Sequence, residues 1–231
     1  MKRMLIAVVI IGFGYQASAQ ISTFLEPGKS GAGIRAVGEQ GIGFYGFGGG
    51  LTASVKGKLD IDFIYTHDTY NQDGIEMISE TAPANYFSGR MRYWIFRERI
   101  HPAIDVNFAV SGGAEYANIT ASKVMDGTSE ILEYDRFNAL ELGFGTNVDF
   151  HMPHKWIVEP SLFFSYEVGM EYWKEGQAPK KESSTGINGV FGLSLIRRTD
   201  KGAFFIQANQ YIESGLSGNW WNFAVGYAFS F

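Results

Sequence analysis

The segment 221–231, W-N-F-A-V-G-Y-A-F-S-F, alternates without a break. Trp221, Phe223, Val225, Tyr227, Phe229 and Phe231 share one parity, while Asn222, Ala224, Gly226, Ala228 and Ser230 share the other. A period of two is that of a strand, here with large apolar groups on one face and small or polar groups on the other. A soluble sandwich would bury the aromatic face and end in a polar tail. This sequence stops on the phenylalanine itself.

Such an ending resembles the closing strand of bacterial outer-membrane β-barrels, whose terminal aromatic residue is read in that family by the barrel assembly machinery. The resemblance implies Phe231 as the residue presented to that machinery, and outer-membrane lipid and lipopolysaccharide as the surroundings. It extends over the whole chain after residue 19. Residues 1–19 read as a secretory signal peptide: Lys2 and Arg3 form a basic start, residues 5–13 an apolar core, and Ala17-Ser18-Ala19 a small-residue cleavage site. That apolar run is shorter than the ~20 residues of a membrane-spanning helix. No later stretch approaches that length, so any spanning falls to strands.

Composition agrees with alternation rather than with apolar blocks. The chain has 29 glycines and 16% aromatic residues, yet a mean hydropathy of only −0.06. It has no cysteine, which removes disulfides and thiolate chemistry. Losing Lys2 and Arg3 with the signal takes the formal charge from −5 to −7, which argues against a nucleic-acid partner. The remainder, residues 20–231, is one domain in size.

Strands are predicted at 31–38, 42–55, 59–66, 86–96, 103–119, 138–151, 156–173, 185–197, 203–213 and 220–231. Short, mostly basic turns fall at 56–58, 99–102, 153–155 and 200–202, and longer polar loops at 67–85, 121–137, 174–184 and 214–219. Short periplasmic turns with longer external loops are the pattern of outer-membrane barrels. The expected fold is therefore all-β: an up-and-down antiparallel transmembrane barrel of ten strands, or eight if 31–38 and one other segment do not span. A lipocalin-like soluble barrel, with its apolar face turned into a cavity, is the competing architecture.

Parity then assigns faces. Along 156–172, Trp156, Val158, Pro160, Leu162, Phe164, Tyr166, Val168, Met170 and Tyr172 are expected toward lipid. Glu159, Glu167 and Glu171 then face the lumen. Pro160, without an N–H, marks a bulge or gap in the ladder. The same rule sends Asp60, Asp62, Arg90, Arg92, Asp105, Glu141 and Asp149 inward, where charges are expected to pair. Arg90 and Arg92 are expected among Asp60, Asp62 and Asp105. With ten strands the lumen is narrow enough for side chains to fill. Aromatic girdles are expected from Trp156, Tyr166, Tyr172, Trp221, Tyr227, Phe229 and Phe231. Gly46–Gly50 carries neither the lysine nor the helix of a phosphate cradle, and is expected to let the wall curve.

Chemistry beyond the fold is sparse. His101, His151 and His154 fall at the short turns and His67 near an external loop. Converging zinc ligands are not expected, so no metal or other cofactor is assigned. His67-Asp68 lies where the rim sites of omptin proteases and lipid A deacylases lie in those families, but adjacent strand residues point oppositely. Asn71, Asp73 and Glu80 match part of a calcium loop with its first ligand missing, which leaves a weak cation contact. The sequence thus favours a non-enzymatic surface or structural barrel whose external loops meet an unknown ligand. A narrow pore and a rim hydrolase are the alternatives.

Overall fold

In the computed structural model, strands follow wherever the parity pattern runs. The structure describes residues 25, 28–41, 44–70, 82–126, 130–175, 178–213 and 220–231. The signal peptide and the partial calcium loop (Asn71, Asp73, Glu80) lie outside the described residues. Ten strands are formed: β1 Gly31–Gly41, β2 Phe44–Val55, β3 Leu59–Tyr70, β4 Ala82–His101, β5 Ile104–Asp126, β6 Glu130–Met152, β7 Trp156–Glu175, β8 Ala178–Thr199, β9 Gly202–Glu213 and β10 Trp220–Ser230. Each pairs antiparallel with its sequence neighbours, and β1 pairs with β10, so the sheet closes. The glycine-rich first strand spans like the others, which makes the barrel ten-stranded rather than eight.

Closure has a definite stagger. The register row from Ala84 runs through Asp68, Gly46, Glu39, Asn222, Asn209, Gly192, Ser161, Asn147 and Asn107, and returns to β4 at Arg97. The row has then slipped by roughly 12 residues along β4, once the bulge at Ile95 is set aside. That stagger corresponds to a strand tilt of about 40°.

The outer wall is apolar. Leu142 is 73% exposed, Leu140 66%, Phe47 63% and Ile206 61%, each on the outward parity of its strand. In water this belt would be an aggregation surface. Around a closed, tilted barrel it matches the hydrocarbon layer. The lipocalin-like alternative, which needs the apolar face inside, is excluded by the same residues.

Tight turns close one end. Val55 accepts a hydrogen bond from the Lys58 N–H at 3.0 Å, around Lys56 and Gly57, both at positive φ. That geometry follows the twist of the flanking strands. At the opposite end the strands differ in length. β5 and β6 each have 23 residues and β8 has 22, against 11 for β1 and β10. The shorter ones already suffice to span. The excess of β5–β8 rises above the rest of the rim by roughly 15–20 Å at the ordinary rise and tilt. Stretches predicted as loops, 121–137 and 174–184, are therefore strand over most of their length. In these stretches the strict alternation of apolar and polar residues lapses, and the backbone ladder continues without an apolar stripe to announce it. Above Asn188, β8 has no described partner on its β9 side.

Pro160 leaves a gap rather than a bulge. The β6–β7 ladder resumes in the same register at Asn147–Ser161 and Phe150–Val158, on either side of the proline.

Candidate functional site in the barrel interior

The lumen is lined by the polar parity of all ten strands, and its charges form layers. Nearest the tight turns is an apolar patch of Ile157, Ile196, Ala203, Phe205 and Ala228, onto which Leu25 folds from outside the strands. The Leu25 carbonyl accepts a hydrogen bond from Arg198 Nη2 at 3.1 Å. Beside this patch Arg99 donates to both carboxylate oxygens of Asp105, at 2.6 and 3.1 Å, and His151 Nε2 lies 2.7 Å from Asp105 Oδ2. Asp149, fully buried, takes Asn147 Nδ2 at 3.4 Å. Asp105, Asp149 and His151 bring three donor atoms within 4.8 Å of one another. A divalent ion could use such donors, but Arg99 already holds that position as the cation. Glu159, also fully buried, receives Ser194 Oγ at 3.5 Å.

The middle layer holds Arg35, Arg90 and Arg92 with Asp60, Asp62 and Glu141. Arg35 Nη2 lies 3.6 Å from Asp62 Oδ1. Arg90 is paired with Glu141 through a short charged hydrogen bond. Arg92 sits level with Asp60 in the register, its guanidinium 4.3 Å from the Phe163 ring centroid and 5.9 Å from that of Trp94. The Trp94 indole donates to Asp60 Oδ2 at 2.9 Å. Next to this layer is a cavity of about 10 Å³, lined by Ser88, Arg90, Glu115, Glu141 and Glu167 among others, room for one water.

The predicted interior residues all face inward, but one grouping is corrected. Asp105 does not join Arg90 and Arg92; it belongs to the tight-turn layer with Arg99 and His151. The cause is the hairpin register, which sets Arg92 opposite Ser111 and Arg90 opposite Gly113, with a one-residue shift between Trp94 and Phe96 that brings Arg99 opposite Asp105. Ile95 and Phe96 both face outward, so parity inverts and Arg97 and Arg99 turn in. Strict alternation across 86–101 could not anticipate them. Arg35, on the glycine-rich predicted strand 31–38, and Glu39, just past its predicted end, are interior residues that the sequence reading does not assign. His151, one of the turn histidines, lies with Asp105 and Asp149 in this layer.

His67 and Asp68 leave opposite faces. His67 Nδ1 is 3.0 Å from Asn85 Oδ1, with its ring 6.0 Å from that of Phe47 on the outer wall, whereas Asp68 is fully buried inside. Among the aromatic residues, Tyr166, Trp221, Phe229 and Phe231 are exposed on the outer face. Trp156 carries the Arg197 guanidinium at 5.5 Å and Tyr227 stacks edge-on with Phe229. Tyr172 stands above the belt, under the Arg136 guanidinium at 4.3 Å.

A closed antiparallel barrel with an apolar outer belt and a charged lumen is the architecture of bacterial outer-membrane β-barrel proteins, and this chain has that fold. It is similar to the translocator domain of the autotransporter NalP from Neisseria meningitidis, at 12% identity over 91% of each chain and a TM-score of 0.50. The beta domain of the Bordetella autotransporter BrkA shares 13% identity over 87% of this chain and 99% of that one, with a TM-score of 0.48. Ail, the attachment invasion locus protein of Yersinia pestis, shares 10% over 88% and 100%, with a TM-score of 0.39. No family model matches the chain, and no curated protein matches it.

Proposed function

We propose that this protein is a closed, non-enzymatic outer-membrane barrel that acts through its long-loop end. The observation that carries the reading is the charged, inward-facing side-chain set of a ten-stranded barrel. Arg35, Arg90, Arg92, Arg97, Arg99 and Arg198 line the lumen together with Asp60, Asp62, Asp105, Glu141, Asp149 and Glu159, and further buried carboxylates, among them Glu39, Asp68, Glu167 and Glu171, make the interior acidic on balance. Leu25 and its apolar patch add a floor. A narrow barrel packed in this way has no need of a mobile plug. The raised β5–β8 wall offers the surface on which an external ligand or the lipopolysaccharide layer would be met, and Phe231 is the residue offered to the assembly machinery.

Planar-bilayer recording of the refolded barrel tests the closure. The expected trace has no regular conductance steps. Steady unitary steps would favour the narrow-pore reading instead. Lipid and peptide hydrolysis assays on the wild type and on a His67→Ala, Asp68→Ala double variant address the rim hydrolase. Turnover that the double variant loses would replace the present reading.

A further inference from the structure

Among the described side chains, three register positions set two carboxylates directly opposite each other across neighbouring strands: Asp105 with Asp149, Glu141 with Glu167, and Glu171 with Glu182. Like charges in that relation repel and destabilise a sheet unless something neutralises them. The first pair has Arg99, with Arg97 and Arg198 acting on Asp149. The second has Arg90 on Glu141. The third has no described cation: the charged groups acting on Glu171 are Glu182 and Glu167, both acidic. Glu171 is nevertheless 1% exposed, and neither of its carboxylate oxygens has a hydrogen-bond partner.

Among the described residues beside the pair are the buried Phe137 ring, opposite Glu171 on β6, and one further oxygen donor. Ser184 follows Glu182 on the same face of β8, and its Oγ is buried without a partner. Gly169 faces it across the ladder; a Cβ on that glycine would come within 2.7 Å of Ser184 Oγ, so the missing side chain is what leaves the hydroxyl its place. Glu182 itself is exposed, which gives the cluster a route to solvent. Glu171 follows Met170, the last exposed apolar residue of the β7 stripe, so the group stands at the long-loop edge of the apolar belt, on the inner face of the raised wall. Two carboxylates and a hydroxyl, with room for water on the Glu182 side, form a hard, all-oxygen donor set.

We propose that Glu171, Glu182 and Ser184 bind a divalent hard cation of the calcium type at the long-loop end of the barrel. The ion supplies at this pair the positive charge that arginines supply at the other two. With few protein ligands and the rest water, its affinity belongs in the range of extracellular calcium modules, about 0.1–1 mM. Conductance does not enter the test, so the site stands or falls separately from closure of the lumen.

The test uses full-length mature barrel refolded in detergent without lipopolysaccharide, stripped with chelator, and titrated with calcium alone at pH 7.5. Two readouts are taken: binding heat, and the temperature at which the fast-migrating folded gel band disappears. Calcium is expected to raise that temperature in the wild type. Glu171→Gln is expected to raise it without calcium, by removing the repulsion, and to abolish the calcium response. Glu182→Gln and Ser184→Ala are expected to weaken binding several-fold, and they serve in place of Glu171→Gln if that variant does not fold. No wild-type response up to about 10 mM calcium would overturn the proposal. So would a response that survives in Glu171→Gln or Glu182→Gln, or one lost instead when Asp73 and Glu80 are neutralised. If acidification alone reproduces the stabilisation and calcium adds nothing at pH 7.5, a proton holds the pair and the metal site is wrong.

Discussion

Replacing Arg92 with alanine probes the middle of the lumen most directly. The side chain is 4% exposed and lies level with Asp60, which is fully buried, and one step from Asp62, at 1%. Removing one partner from a buried charge group typically costs about 3–5 kcal/mol. Water entering the vacated space would solvate the stranded carboxylates and reduce this, so we expect about 2–3 kcal/mol. For a chain of this size each kcal/mol moves the unfolding midpoint by about 2–4 °C. The folded gel band should therefore vanish about 5–10 °C earlier in Arg92→Ala. Met91→Ala, at an outward position 57% exposed, should move it far less. Pairing Arg92→Met with Asp60→Asn removes both charges and should recover most of the loss. If Arg92→Ala matches Met91→Ala, or the double variant is worse than the single one, the charges in this layer are not holding one another and the energetic account of the lumen fails.

Other expectations follow from local geometry. A Cβ at Gly48 would land on the Tyr65 carbonyl oxygen, whereas Gly38 has nothing within 4 Å. Gly48→Ala should cost about 1–3 kcal/mol by overpacking and lower refolding yield, and Gly38→Ala should refold like the wild type. Leu25→Ala should lose about 2–4 kcal/mol in denaturant titration, the cost of a cavity in a buried apolar cluster. At the tight-turn rim, Lys155 Nζ bonds Asp200 Oδ1 at 2.6 Å and holds that exposed carboxyl below its ordinary range. The contribution is present at neutral pH and lost as pH falls through the depressed value. Because the pair is exposed, Lys155→Ala should leave the band temperature unchanged while the Asp200 carboxyl signal in NMR titrates at a higher pH than in the wild type.

Strand positions and inward faces were legible because the apolar belt forces a period of two on every spanning segment. Trp156 to Met170 is the plainest instance. Legibility ended where that force ends. Above the belt, residues such as Lys181 and Glu182 on β8 carry charge on both faces, and the pattern there could not separate strand from loop. It ended also at Ile95, where one extra residue turns Arg97 and Arg99 inward and supplies the partner of Asp105. Partner choice was the least legible of all. Parity places Arg90 and Glu141 on the same inner surface, but only the registers of β4 and β6 on β5 set them level on either side of Gly113 and bring two side chains 51 positions apart into contact.

The raised wall has a further consequence, for crowding. Its β8 side has no partner among the described residues above Asn188, and an unpaired row of backbone donors and acceptors is a template for pairing with another copy. The row begins Ala178-Pro179-Lys180-Lys181. Proline cannot donate to an added strand. Lys180 and Lys181 add two adjacent positive charges to the strand, a composition that disfavours edge-to-edge pairing. Barrels packed side by side in a membrane would meet at this height, and the wall can stand free of its neighbours because its edge is written in residues that refuse one more strand.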